Sequence, residues 1–527
     1  MKKVSVLVLL FAAIATAMAI PAKQGPIVRT AEDGTKKVVY IHGNEYFHYT
    51  TNEEGQWLDE ATLKPMTEDE RLSRLNEGTT HIARVKKQKE EIGGIPNLAP
   101  HGLVILVNFS DLAFTTPKAT MDSMHNGRHF TRDYNYNYEL NGKTNSIRIT
   151  SAGSVWQYFH DQSYGAYDPK FDVVGPVTLN KEMSYYGKNN SFGNDMHASD
   201  MITEACQLAD EQLNIDFTQY DNDNDGYVDF VYVIYAGYGE ADGGDASTIW
   251  PHQSEISGLT IDGKKLKRYA CGCELNFTSK QHDGIGTFCH EFGHVLGLPD
   301  FYSTNKAATH HTLMNWDIMD RGCYNNDGNT PPAYSAYERF YMGWLTPRVL
   351  DGPELVTLGK ISTDTTALLM CEGNSHNLIG HNPMPRTFYL LENREQAGWD
   401  LYVAGKGLLI TKVTYDSNKW RNNEVNKSGN AMGMDIIEAK NNTGKSGKST
   451  DTYPKGSTYF MDFEGHEITQ IKLDADGIIT FKYRWSETPV ENVQSDDVQC
   501  TKVLKNGQVI IVRGGVSYDM MGRKIDR

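Results

Sequence analysis

The segment His290-Glu291-Phe292-Gly293-His294, continued by Val295-Leu296-Gly297-Leu298-Pro299-Asp300, holds the residues of this chain best suited to chemistry. Residues i and i+4 stack one turn apart on a helix, so both imidazoles can reach one cation from the same face. The helix is supported by its own pattern, because Ile285, Phe288, Cys289, Phe292, Val295 and Leu296 form an apolar stripe that buries the other side. Gly297 can take the left-handed conformation that ends a helix, and Pro299 blocks its continuation. The chain then turns sharply and can bring back Asp300 as a third ligand, with His310 and His311 as rivals for that place. Zinc suits two imidazoles and a carboxylate, with a fourth position open for water. The metal lowers the pKa of such a water toward about 7. Glu291 is placed to accept its proton as general base and to return it to a leaving amine.

A second motif is Asp221-Asn222-Asp223-Asn224-Asp225-Gly226-Tyr227-Val228-Asp229. Oxygen ligands at alternate positions around a turn glycine wrap a hard cation, which makes Asp221, Asp223, Asp225, Tyr227 and Asp229 candidate calcium ligands. Tyr232 stands where a helix–loop–helix calcium hand needs its bidentate Glu, and the chain runs on into a strand, so the hand is incomplete. Met319, within Trp316-Asp317-Ile318-Met319-Asp320, can form an apolar floor under the histidines or simply pack in the core. Tyr324 can hydrogen-bond a tetrahedral oxyanion.

These residues need a scaffold. At 527 residues the chain exceeds one core and suggests about three or four folded units. Hydrophobic residues at 39% and charged residues at 22% suit globular domains. A net charge of −16 gives no attraction to nucleic acid or anionic membrane. Lys2 and Lys3, the apolar run Val4 to Ala15 and Ala17-Met18-Ala19 read as an export signal cleaved after Ala19. That run is shorter than the roughly 20 residues needed to span a bilayer, so the expected product is secreted or at the cell surface. The cysteines, seven in all, are too few and too scattered for a disulfide framework, although Cys271 and Cys323 are the pair expected to be bridged.

Val38 to Ile41 and Tyr46 to Tyr49 read as a hairpin turning at His42-Gly43-Asn44. Glu68 to Glu91 is helix-prone, and Gly93 to Pro96 with Pro100 marks a nickable linker, so residues 20–98 read as a propeptide after the signal peptide at 1–19. Within 99–348, the expected catalytic domain, Leu103 to Val107 and Val228 to Tyr235 are buried strands and Asp200 to Leu213 is a helix. Pro331-Pro332 can open a helix whose stripe Tyr334, Tyr337, Phe340, Tyr341 and Trp344 packs in the core. Residues 349–487 read as a β-rich, sandwich-like domain of short strands, and 488–527 as a linker and tail with about two strands. The fold class is α+β.

At His290 to Asp300 and the Trp-Asp-Ile-Met segment ending at Met319, the sequence resembles the immune inhibitor A-like family of secreted bacterial metalloproteases, of metzincin type. The resemblance extends to Ile249-Trp250-Pro251-His252, to Leu391-Glu392-Asn393-Arg394 with Gly405 to Leu409, and to His42-Gly43 with Phe47-His48 in the propeptide. It implies a metzincin catalytic fold, a Met-turn at Met319, Asp300 rather than a histidine as third ligand, zymogen activation and broad protein substrates. With no cysteine before Cys206, a propeptide cysteine cannot hold the enzyme latent; a carboxylate, a histidine or steric blockage must do so. Ile511 to Asp519 is similar to terminal modules of type IX secretion, a possible sorting signal. The expected protein is a zinc endopeptidase, stabilised by calcium and acting on proteins or peptides. A zinc hydrolase of another amide, or a surface binding protein with an inert protease-like domain, are the alternatives.

Overall fold

A computed structural model describes residues 20–44, 47–76, 100–140, 143–190, 193–305, 310–373, 375–440, 445–462, 465–485, 500–505, 508–513, 516–518 and 524–525. The expected signal peptide and the Gly93 to Pro96 linker lie outside these residues, as does the helix of Glu68 to Glu91 beyond residue 76. Among the described residues no helix is long and apolar enough to cross a membrane.

The apolar run Leu103 to Val107 forms the strand His101–Asn108 in a five-stranded sheet, with all five side chains buried. It pairs in parallel with Lys170–Thr178 on one side and Val231–Tyr238 on the other. Val231–Tyr238 in turn pairs in parallel with Arg268–Leu275, and His252–Glu255 closes one edge antiparallel. A parallel sheet needs cover on both faces, and alternate residues show how it is given. Leu103, Ile105, Val107, Val231 and Val233 pack with Met201, Ile202, Ala205 and Ala209 of the helix Ala198–Leu213. Val104, Leu106, Tyr232 and Ile234 face the opposite way and share a cluster with Phe288, Phe292 and Val295 of the helix Gly286–Val295.

Phe292 is the hub of that second face. Its ring lies 4.9 Å from Phe230, 5.1 Å from Phe159 and 5.3 Å from Phe171, centroid to centroid, in edge-on contacts. The aromatic stripe expected after Pro331-Pro332 is core, but its helix is shorter than expected and spans only Ala336–Tyr341. Ser335 and Glu338 form a capping box that fixes its start, so the prolines lead into the helix without opening it.

The N-terminal residues form a four-stranded antiparallel sheet ordered Ile27–Thr30, Lys36–Asn44, Phe47–Thr51, Trp57–Leu58. His42 to Asn44, expected as the hairpin turn, are still in the strand and pair with Tyr49, His48 and Phe47. Beyond residue 347, five strands (Arg348–Val349, Leu368–Met370, Thr387–Arg394, Gly407–Thr414 and Met434–Ile436) make one sheet. It too is covered twice. Leu368, Met370, Tyr389, Leu391, Leu408 and Ile410 pack with a three-stranded sheet of Glu354–Leu358, Ile479–Tyr483 and Ile468–Leu473. Leu369, Phe388, Leu390, Leu409 and Val413 join the same cluster as the helix Gly286–Val295.

The residues from 485 onward form a separate compact unit. It holds a four-stranded antiparallel sheet of Cys500–Lys505, Gln508–Arg513, Val516–Tyr518 and Lys524–Ile525, two strands more than expected. The last two are too short to show an alternating pattern in the sequence.

Cys206, Cys271, Cys273, Cys289, Cys323 and Cys371 are buried free thiols, so the expected Cys271–Cys323 bridge is not formed. The reason is the sheet between them. Cys271 packs on the face of the helix Ala198–Leu213 and Cys323 on the face of the helix Gly286–Val295. Because Phe292 fills the space between sheet and helix, Phe292→Ala should destabilise this part of the chain by about 3–5 kcal/mol. A fall in midpoint in denaturant unfolding, monitored by tryptophan fluorescence, checks this.

Candidate metal centre

His290 and His294 lie one turn apart on the helix Gly286–Val295, with Glu291 beside them and Asp300 beyond its end. All four are shut away from solvent, with exposures of 0%, 3%, 0% and 0% respectively. Gly297 has φ +106° and makes the reversal that only a residue without Cβ takes easily. The carbonyl of Leu298 thereby returns to His294 Nδ1 at 2.8 Å, and the carbonyl of Ile318 meets His290 Nδ1 at 2.6 Å. A carbonyl only accepts, so each Nδ1 carries the hydrogen and each Nε2 keeps its lone pair.

Those lone pairs converge. The two Nε2 atoms are 3.1 Å apart, and Asp300 Oδ1 lies 3.3 Å from that of His290 and 3.2 Å from that of His294. Among the described residues Oδ1 has no hydrogen-bond donor. Three acceptors this close repel one another unless a cation sits between them, and two imidazoles with a carboxylate suit a divalent transition metal. The side chains therefore fit a metal. Burial lowers the pKa of His294 and so favours its neutral, ligating form, against the pull of Asp300. For Asp300 burial alone would raise the carboxyl pKa, and only positive charge placed among the two imidazoles and the carboxylate would hold it below the usual range.

Sequence reasoning missed the residue that aims Asp300. Asn423, on the chain between the strands Gly407–Thr414 and Met434–Ile436, accepts from the Asp300 N–H at 2.7 Å and donates through Nδ2 to Asp300 Oδ2 at 2.5 Å. It stands 123 residues from Asp300, in no motif. His310 and His311, the rival ligands, are elsewhere: their rings donate to the carbonyls of Asn426 and Ser446. Met319 is beneath the helix, and a Cβ on Gly293 would lie 2.7 Å from its sulfur. The glycine between the two histidines is what lets the methionine approach.

The N-terminal segment crosses this centre. The Ile20 backbone nitrogen donates to Glu291 Oε1 at 3.0 Å. Trp250 Nε1 donates to the Ile20 carbonyl at 3.1 Å, and the Tyr324 hydroxyl donates to the Pro21 carbonyl at 2.8 Å. Lys23 N–H donates to the Ala241 carbonyl at 3.0 Å. Further along, buried His48 of the N-terminal sheet lies 3.0 Å from Glu240.

In the acidic loop, Asp221, Asp223 and Asp225 bring carboxylate oxygens within 4.8 Å of one another. Asp221 also accepts from the Lys264 ammonium at 2.6 Å and from the Asp225 and Gly226 N–H groups. Asp229 turns to Asn222, accepting from its backbone and side chain, and the Tyr227 N–H donates to Asp225.

A His-Glu-x-x-His helix completed by a carboxylate, over a methionine-bearing turn and beside a mostly parallel sheet, defines a domain of metallopeptidase type. Residues 99–345 match the family model for the immune inhibitor A peptidase M6 catalytic domain, so the chain carries a peptidase M6 domain of the immune inhibitor A family. It is 28% identical over 244 residues to the pre-pro-metalloprotease PrtV of Vibrio cholerae serotype O1 (strain ATCC 39315 / El Tor Inaba N16961), covering 40% of this chain and 26% of that protein. It is 29% identical over 206 residues to immune inhibitor A of Bacillus thuringiensis subsp. alesti, covering 34% of this chain and 30% of that one. The chain thus spans less than a third of the length of these curated relatives.

Asn423→Ala should weaken metal affinity by about 10- to 100-fold while His294→Ala removes it, since one orients a ligand and the other is one. Competition with a chromophoric chelator measures both.

Proposed function

We propose that the chain is a zinc-dependent endopeptidase, exported and held as a zymogen, that hydrolyses peptide bonds of proteins. The observation that carries this reading is the convergence of His290, His294 and Asp300 beside a Glu291 whose carboxylate receives a backbone nitrogen. When bound there, zinc would supply Lewis acidity to a substrate carbonyl and to a water molecule. His290, His294 and Asp300 would hold it, with Nδ1 hydrogen bonds and Asn423 fixing their aim. Glu291 accepts the proton of the attacking water and passes it to the departing nitrogen. The Ile20 nitrogen, 3.0 Å from Glu291 Oε1, stands where that departing nitrogen would be. Tyr324, expected as an oxyanion donor, gives its hydroxyl here to the Pro21 carbonyl, so on this alignment the role we propose for it is to hold the carbonyl of the second residue after the scissile bond.

The same contact supports latency. Residues 20–98 act as a propeptide whose first residues fill the cleft of the catalytic domain at 99–348. Cleavage of the export signal after Ala19 would turn the Ile20 nitrogen into an ammonium group and strengthen its hold on Glu291. Blockage is then steric and ionic, as a propeptide without cysteine requires. The β-rich residues 349–487 form a sandwich-like support, and the acidic loop at Asp221, Asp223 and Asp225 takes a structural calcium ion, to which Tyr227 and Asp229 belong as outer members.

Activated chain should digest casein, and a zinc chelator should abolish the digestion. Glu291→Ala should lower kcat by about 10²- to 10⁴-fold with metal still bound. Activity that survives Glu291→Ala would sink the mechanism, and inert wild type with zinc in place would favour the binding-protein reading. For latency, a chain lacking residues 20–24 but keeping the rest of the N-terminal unit should digest casein without further processing.

A further inference from the structure

Lys23 is a lysine almost enclosed in protein. Its ammonium lies 2.6 Å from Asp242 Oδ1 and 2.5 Å from Asp327 Oδ1, and its side chain keeps only 17% of its exposure. Both partners belong to the catalytic domain, and their side chains are 7% and 9% exposed. Each is fixed by a donor of that domain. The Phe277 N–H donates to Asp242 Oδ2 at 2.7 Å, and the Tyr136 hydroxyl donates to Asp327 Oδ2 at 3.3 Å. A third acid, Asp283, feels both: its carboxyl is pushed up to about 7 by burial first, and then by the charges of Asp242 and Asp327. The catalytic domain has thus assembled an acidic pocket into which the N-terminal segment places one cation.

The position of that cation along the segment can be counted. Ile20 N, on Glu291, takes the place of the nitrogen that leaves when a peptide bond is cut. The residues after Ile20 then stand for the residues after the scissile bond, and their backbone is gripped as a substrate backbone would be. Trp250 and Tyr324 hold the first two carbonyls, and the Ala241 carbonyl holds the Lys23 N–H. On this count Lys23 is the fourth residue after the cut.

Two pinned carboxylates left without their cation repel each other at low exposure, which is costly. A substrate side chain with a positive charge relieves this, and a neutral one does not. Building on the endopeptidase reading above, we propose that Asp242 and Asp327 form a substrate subsite that selects lysine or arginine at the fourth residue after the scissile bond.

The test uses activated chain freed of its N-terminal residues, with two peptides that differ only by Lys or Ala at that position. Wild type should favour the lysine peptide in kcat/KM on the order of tenfold to a hundredfold. The ratio should fall towards one in the Asp242→Asn, Asp327→Asn double variant. A companion measurement needs no variant: the free peptide Ile-Pro-Ala-Lys-Gln-Gly should inhibit wild type, and its Lys-to-Ala form should inhibit at least about tenfold more weakly. Equal kcat/KM for both substrates, with casein still digested, would overturn the subsite and leave the endopeptidase reading standing. Equal inhibition by the two hexapeptides would overturn it as well. Failure to digest casein at all would remove the endopeptidase reading and the subsite with it.

Discussion

The reversal at Gly297 is the constraint on which the centre depends. With φ at +106° the chain leaves the helix and doubles back at once, so the Leu298 carbonyl reaches His294 and Asp300 reaches both imidazoles. An L side chain at this position would strain the turn and shift the third ligand. The arrangement then concentrates unpaired acceptors in a place shut from water, which is stable only with a cation present. Phe288 and Phe292 hold the helix against the sheet on one side, and Met319 closes in at Gly293 on the other.

The parts legible in the sequence share a property: their partners are near in the chain. His290, Glu291 and His294 declare themselves by helical spacing, and Gly297 with Pro299 declares the turn that delivers Asp300. The strand at Leu103 to Val107 was legible because burial on both faces leaves an unbroken apolar run. What was hidden depends on contacts far along the chain. Asn423 reaches Asp300 across 123 residues, and Ile20 reaches Glu291 across 271, and neither has a local pattern to mark it. Cys271 and Cys323 invited pairing because sequence does not show on which side of a sheet a residue points until the sheet is built. The short helix Ala336–Tyr341 starts later than its proline pair suggests because the serine cap at Ser335 sets its first turn.

The N-terminal residues are bound by more than one kind of force. Backbone hydrogen bonds at Ile20, Pro21 and Lys23 give the segment its path. Lys23 adds a pair of short ionic contacts, and His48 adds a buried contact with Glu240. Ile20 and Ala22 also contribute apolar surface to the same cluster as the helix Gly286–Val295. Since that cluster includes the packing around the histidines, the segment completes a core as well as reaching Glu291.

The strand pair Thr387–Arg394 and Gly407–Thr414 is covered on both faces, with Phe388, Leu390 and Leu409 in the same cluster as the helix Gly286–Val295, and the loop beyond it carries Asn423. The chemical motif therefore borrows both its wall and the clamp on its third ligand from sequence that bears no motif. In inheritance, these two stretches travel as one. A recombination that joined the histidine helix to a different downstream sheet would pass on every recognisable letter of the motif, while leaving Asp300 without its clamp and an apolar wall open to water.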